Sequence, residues 1–481
     1  MNKLLKNFSL NTINQIIILV IPLITTPYLT RNLGTESLGI GTYILSIAIL
    51  FYSIGTLGTN LYSRREIAYA VAKKRNLKTV YYELFIVRLI LTLLTICVYI
   101  LFSWQKEYSI IYFIFSLTIV GNMMDVSWFF IGMEEMKQLV IRNCLIRIAS
   151  ALSVFLLVKC PEDIYIYAII KGTGDMIAFL IMLPQVQKVI KDYKMERIRI
   201  KRHFIPIIKF FLPQAASIIY VQCDKIMIGN LTSNMSSVTI YEKGEALIKL
   251  PVTFVNALSA VTLPRIANMY AKENSENMYS LMKKISNLTV FFIVPIVVGM
   301  GIVSRIFVPL YLGNDYSESS VAMIWLMPAV IAISLSSITC IQFLMPLNET
   351  SILTKSYSFA AIVNIILNFI LIQEWGIIGA AVATDVAELS VFVVQYMYIH
   401  KKYRSFGFSQ NLLKRFIAVA LMTLICIIIE HHFGRSVMCG IIQIVLGSTL
   451  YIFIVWALKD TVIIDIMNRI GSFRFKPQNK N

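Results

Sequence analysis

Charged side chains stand inside stretches that are otherwise apolar, and they are the residues with the most chemistry to offer. The basic ones are Arg88, Arg147, Lys171, Lys225, Lys243, Lys249 and Arg305. The acidic ones are Glu83, Asp125, Asp175, Asp224, Glu242, Glu245, Asp385 and Glu388. An ion within hydrocarbon is costly, so such groups are expected to face a cavity or a partner. Lys171 and Asp175 are four residues apart, as are Glu245 and Lys249, so each pair shares a helix face and can form an ion pair. Glu242, Glu245 and Lys249 make one polar stripe, and Asp385 with Glu388 makes another. The two signs nearly balance, so charge count alone does not point to an anionic substrate. For the deeper residues Asp125, Arg147, Lys171, Asp175, Lys249 and Asp385, a cavity role is the expectation. For Glu83, Lys243, Asp224 and Lys225, near the ends of their stretches, snorkelling to the interface is the alternative.

Covalent and redox chemistry find little support. No GxxxxGK[ST] phosphate cradle is present, so the chain is not itself an ATPase. Seven cysteines are dispersed without a CxxC pair, which suits apolar filler better than a disulfide framework or a metal site. His431 and His432 fall in a short loop. No cofactor and no metal are expected.

These charges must be positioned by membrane helices. The chain has 481 residues, is 57% hydrophobic and only 15% charged. A helix needs about 20 apolar residues to cross a bilayer, and stretches of that length recur from end to end. Spans are expected near 11–29, 39–60, 80–102, 109–132, 139–158 and 163–186. Six more are expected near 206–229, 237–262, 286–311, 319–346, 351–372 and 376–399, with a last pair near 412–429 and 437–457. The expected fold is therefore all-α, a polytopic membrane protein of about fourteen helices. The first stretch lacks a small-residue cleavage site and is read as a retained helix.

The net charge of +18 has a topological reading. With the N-terminus inside, outside segments hold only Arg31, Lys106, Lys159 and Arg435, while clusters such as Arg64, Arg65, Lys73, Lys74, Arg75 and Lys78 lie inside. The positive-inside rule then puts both termini in the cytoplasm, and nucleic acid is not needed to explain the basic surplus.

An internal repeat organises the helices. Asn32, Leu33 and Tyr43 align without a gap on Asn230, Leu231 and Tyr241, and Gly172-Thr173-Gly174-Asp175 resembles Val382-Ala383-Thr384-Asp385. Both copies begin on the same side, so the repeat is parallel, which suits two lobes rocking about a shared cavity. The expected organisation is a six-helix lobe at 1–190, a second at 191–405, and a terminal helix pair with a basic tail at 406–481. Pro22, Pro27, Pro206, Pro213, Pro251 and Pro264 fall in or beside the first two helices of a lobe and are expected to bend or break them.

Several ordered motifs resemble those of polysaccharide repeat-unit flippases of the Wzx type, within the multidrug, oligosaccharidyl-lipid and polysaccharide exporter superfamily. They are Pro27-Tyr28-Leu29-Thr30-Arg31-Asn32-Leu33-Gly34, Arg64-Arg65-Glu66-Ile67-Ala68, Phe129-Phe130-Ile131-Gly132-Met133-Glu134, Asp224-Lys225-Ile226-Met227-Ile228-Gly229, and Asn364 to Asn368 followed by Trp375-Gly376-Ile377-Ile378-Gly379-Ala380-Ala381. Pro346-Leu347-Asn348 departs from the family's PxGK pattern. The resemblance implies translocation of a polyprenyl-pyrophosphate-linked oligosaccharide from the cytoplasmic to the outer leaflet of the bacterial inner membrane, for surface polysaccharide assembly. It implies membrane lipids as surroundings and a polysaccharide polymerase as a candidate partner. It places Arg31 and Lys225 near the transport path. Arg31, Arg147, Lys171, Lys225, Lys249 and Arg305 are the candidate substrate-binding residues; Asp125, Asp175, Asp385 and Glu388 are candidates for ion coupling or cavity structure. The nearest rival is a multidrug or organic-cation antiporter of the same superfamily, using groups such as Asp175 and Asp385. A membrane polymerase or ligase is a weaker fit, because no outside segment is long enough to carry a catalytic domain.

Overall fold

The computed structural model describes residues 3–56, 58–272, 275–347, 349–403 and 411–474, for the backbone alone over 3–14, 209–220 and 469–474 and at a few positions near 260–275. Pro213, Pro264 and Asn348 are among the positions whose side chains lie outside the described residues. Every regular element in the described residues is helical. Among the described residues, eleven segments are long and apolar enough to cross a membrane, and one of them, residues 15–55, covers most of the first two expected spans. The seventh and eighth expected spans, 206–229 and 237–262, are not among the eleven.

The chain divides into two compact units, residues 1–239 and 240–481. The first contains α1 (Lys3–Gly55), α2 (Thr59–Ala72), α3 (Leu77–Ser103), α4 (Ser109–Met124), α5 (Ser127–Gly132), α6 (Met136–Leu157), α7 (Ile164–Ile190), α8 (Lys201–Thr232) and the start of α9 (Met235–Ile248). The second holds the rest of α9, α10 (Val252–Ala271), α11 (Ser275–Leu312), α12 (Ser319–Trp325), α13 (Met327–Ser337) with its π-helical extension Ile338–Leu344, α14 (Thr350–Trp375), α15 (Ile377–Tyr403), α16 (Leu412–Phe433), α17 (Val437–Ala457) and α18 (Thr461–Arg474).

The breaks in these helices recur in the same order along the chain. In each copy the second and fourth expected spans are interrupted. The second gives α1 then α2, and later α9 then α10; the fourth gives α4 then α5, and later α12 then α13. The prolines of the first helix do not mark a break. Pro22 and Pro27 stay inside α1, whose kink falls instead at Gly34, with φ 71° and ψ −178°. That backbone region is open almost only to glycine, so a missing Cβ, and not a missing N–H, turns the chain. Pro251 does sit at a break, as the residue before α10.

Small residues bring helices together where lipid supplies no hydrophobic drive between them. A Cβ on Gly121 would lie 2.5 Å from the Asp175 carbonyl carbon, so α4 and α7 touch backbone to backbone. The first unit's core gathers Tyr81, Trp128, Phe129 and Phe130, with the Tyr81 and Trp128 rings stacked at 5.6 Å. The Phe129-Phe130 motif is thus packing, and Gly132 beside it lets α5 lie on the Arg64 carbonyl.

Candidate functional site

In the first unit, the approach of α4 to α7 at Gly121 sets Asp175 among polar neighbours from three further helices. Asn122 comes from α4 and Arg147 from α6, with Lys171 one turn earlier on α7 itself. Tyr52 of α1 also lies within electrostatic range of Asp175. The sequence spacing that joins Lys171 to Asp175 therefore describes half of a larger group, with Arg147 as the second cation. Lys171 is exposed, and Arg147 and Asp175 are half-buried. Two cations around one carboxylate can accept an anion or leave the carboxylate fully engaged.

Asp125 sits at the break between α4 and α5. Its partner is Arg142, five residues before Arg147 on α6, at 2.6 Å. Arg142 is itself buried and also binds Ser127 Oγ and Asn143 Oδ1. Arg88 is buried too and bridges two breaks: its Nε donates to the Met123 carbonyl at 2.8 Å, and its Nη1 to Asn60 Oδ1 at 2.7 Å. Its role is to hold the start of α2 against the end of α4. Arg64 of α2 lies in electrostatic range of Asp125, and burial keeps its guanidinium below its usual pKa.

Glu83 does not snorkel. It is 1% exposed and meets His203 Nε2 at 3.1 Å, the Arg199 backbone N–H at 2.6 Å and the Arg202 guanidinium. His203 Nδ1 in turn meets the Tyr62 hydroxyl at 2.8 Å, and burial raises the Tyr62 phenol to about 12. The segment leading from α7 to α8 is thereby docked on α2 and α3. Arg31 is exposed on α1 three residues before Gly34, and Lys225 is half-buried on α8.

In the second unit, Glu245 and Lys249 form the expected ion pair at 2.6 Å, next to the break before α10. Asp385 accepts a hydrogen bond at 2.7 Å from the backbone N–H of Ala329, in the first turn of α13. A carboxylate there satisfies an orphan donor and complements the helix dipole. Asp385 is thus a cap for a broken helix. Glu388 is buried near Tyr357, apart from that role. Arg305 is exposed on α11. Between the π-helical extension and α14, Glu349 takes hydrogen bonds from Lys402, Tyr398 and Tyr403, and the first of these holds its carboxyl below the usual range.

Two features of the second unit left little trace in the sequence. Arg415 and Asp460, both buried, pair through Nε–Oδ2 at 2.8 Å and Nη2–Oδ1 at 3.1 Å, and Arg415 also binds the Asn287 carbonyl. Forty-five residues separate them, so no helical spacing marks the pair. Beside them, α11, α16, α17 and α18 line an open-sided apolar cavity of about 650 Å³. Phe291, Ile296, Met300, Ile444 and Ile463 are among its walls. Its hydroxyls turn away: Tyr451 donates to the Phe291 carbonyl and Ser448 to that of Ile444.

The polysaccharide biosynthesis protein family matches residues 4–270, more than half of the chain. The chain belongs to that family. The lipid II flippase family also matches, over residues 142–447. A protein of Shigella dysenteriae named "Putative O-antigen transporter" is 28% identical over 386 residues, 78% of this chain and 94% of that one. Among solved structures, the lipid II flippase in its inward closed conformation aligns with a TM-score of 0.68 and 17% identity, over 92% of this chain and 97% of its own. An inward-facing multidrug resistance transporter aligns with a TM-score of 0.60 and 14% identity, over 82% and 99%. The all-helical transporter fold is shared with both, and the chain is a multi-pass membrane protein.

Proposed function

We propose that the chain is a flippase that moves a polyprenyl-pyrophosphate-linked oligosaccharide repeat unit from the cytoplasmic to the outer leaflet, for surface polysaccharide assembly. The observation that carries this reading is the near full-length likeness to a protein named for O-antigen transport. In this reading the lobes at 1–190 and 191–405 rock in alternating access, both termini are cytoplasmic, and no covalent step occurs. The sugar and pyrophosphate take a polar path past Arg31, Arg147, Lys171, Lys225, Lys249 and Arg305. The apolar cavity beside α16 and α17 suits the hydrocarbon chain, because its walls are almost wholly carbon and the Tyr451 and Ser448 hydroxyls are taken up by backbone carbonyls. That gives the terminal helix pair, residues 406–481, a task.

The second reading, a cation antiporter, is favoured by the fold shared with the multidrug transporter. It needs carboxylates available to a cation. Asp385 caps α13, and Asp175 stands between Lys171 and Arg147, so neither is disposed for that work. Deleting the gene separates the two. The flippase reading expects lipid-linked repeat units to accumulate on the cytoplasmic face and the surface polymer to disappear. Normal polymer in a deletion strain with no second flippase would reject it.

A further inference from the structure

Arg64, Arg88 and Arg142 gather around a single carboxylate, Asp125. Arg142 pairs with it directly, while Arg64 and Arg88 lie within electrostatic range of it and of each other. Three guanidinium groups against one carboxylate leave positive charge in surplus. Arg88 is only 2% exposed, so water does little to offset that surplus.

A second observation, independent of charge, concerns hydrogen bonds. Arg88 Nη2, Arg64 Nε, Ser63 Oγ and Trp128 Nε1 are buried and have no partner among the described residues. They belong to one patch. The Arg88 guanidinium carbon lies 5.9 Å from the Trp128 ring. Arg88 Nη1 binds Asn60 at the start of α2, and Ser63 and Arg64 follow one turn later. Gly132 at the end of α5 packs on the Arg64 carbonyl, which brings the Trp128 helix onto the same turn. Each of the four atoms can donate a hydrogen bond, and native proteins seldom leave buried donors unmade in a group. The bound partner that would satisfy them must accept several hydrogen bonds and carry negative charge. Phosphate oxygens do both, and guanidinium and indole N–H groups suit them.

We propose that this patch, between α2, α3 and α5, is a binding site for a phosphate-type oxyanion, held by Arg88 and Arg64 with Trp128 and Ser63 as neutral donors. Half-buried Arg64 connects it to the surface. The phosphate can belong to the lipid carrier, to a bulk phospholipid or to free phosphate. None of these residues is among the substrate-path cations named above, and the site does not depend on the flippase reading.

The test uses the full-length protein in detergent and in lipid nanodiscs, titrated with inorganic pyrophosphate, with sodium chloride at matched ionic strength, with polyprenyl pyrophosphate and with phosphatidylglycerol. Thermal midpoint and native mass are read. Arg64→Gln and Trp128→Phe are the variants, because Arg64 Nε and Trp128 Nε1 make no hydrogen bond that the fold would lose. Pyrophosphate should raise the wild-type midpoint saturably, and each variant should weaken its apparent affinity about tenfold, the value of one charge-assisted hydrogen bond. Tighter binding of polyprenyl pyrophosphate than of pyrophosphate identifies the carrier as the source; tighter binding of phosphatidylglycerol identifies bulk lipid. Equal stabilisation by chloride, or variant affinities equal to wild type, overturns the site. Pyrophosphate binding together with normal polymer in the deletion strain would leave the site standing and remove the flippase reading.

Discussion

Arg147 and Arg305 carry similar expectations from sequence and different ones from structure. Arg147 neighbours the half-buried Asp175, which keeps Lys171 as its other cation, so Arg147→Ala should reduce transport and lower membrane abundance only modestly. Adding Asp175→Asn should restore abundance without restoring transport. Arg305 is exposed, so Arg305→Ala should lower transport at unchanged abundance, and Arg305→Lys should recover part of it if charge matters more than the planar fork. Transport unchanged in both single variants, at unchanged abundance on immunoblots, removes these cations from the path. Arg415 belongs to a different category. Truncating it to Ala leaves Asp460 charged and buried, at a cost of roughly 3–5 kcal/mol. The purified variant should show a lower melting midpoint, and the Arg415→Met/Asp460→Leu double variant should regain most of the loss. A double variant no better than the single one would show that the stranded Asp460 charge is not the source of the loss.

At the scale of elements, the kink in α1 depends on one residue. Gly34→Ala forces a side chain into a backbone region that costs on the order of 1–3 kcal/mol for other residues. Abundance should fall, whereas Pro27→Ala, inside a helix that continues through it, should have a smaller effect. The reverse ranking would put the turn's origin back at the proline. Much of this architecture was legible beforehand. Helix class and the order of spans follow from hydrophobic run length, and the repeat follows from Asn32 and Tyr43 matching Asn230 and Tyr241. The pair Glu245–Lys249 follows from helical spacing, and the same spacing sets Lys171 near Asp175. What stayed hidden was tertiary. Asp125 meets Arg142, Glu83 meets His203 and Arg415 meets Asp460 across loops, where no period connects partners. Hydropathy also overlooks helix breaks, because a run stays apolar when its backbone turns at Asp125 or Leu326.

For the whole molecule, orientation and direction of transport are linked, since a cytoplasmic substrate needs a path that opens inward first. Reporter fusions after Arg75, Arg199 or Lys402 should report cytoplasm, and fusions near Tyr108 or Ser317 should report the outside. Two or more reversals would dismantle the topology on which the transport direction rests. The central claim is movement of a lipid-linked oligosaccharide between leaflets, and reconstitution tests it most directly. The purified protein is placed in vesicles carrying the strain's polyprenyl-pyrophosphate-linked repeat unit, and a membrane-impermeant glycosidase or lectin is added outside. The account predicts that the inner-leaflet pool becomes accessible with the wild-type protein and stays protected in protein-free vesicles. Equal protection with and without the protein, at verified insertion and folding, would contradict it.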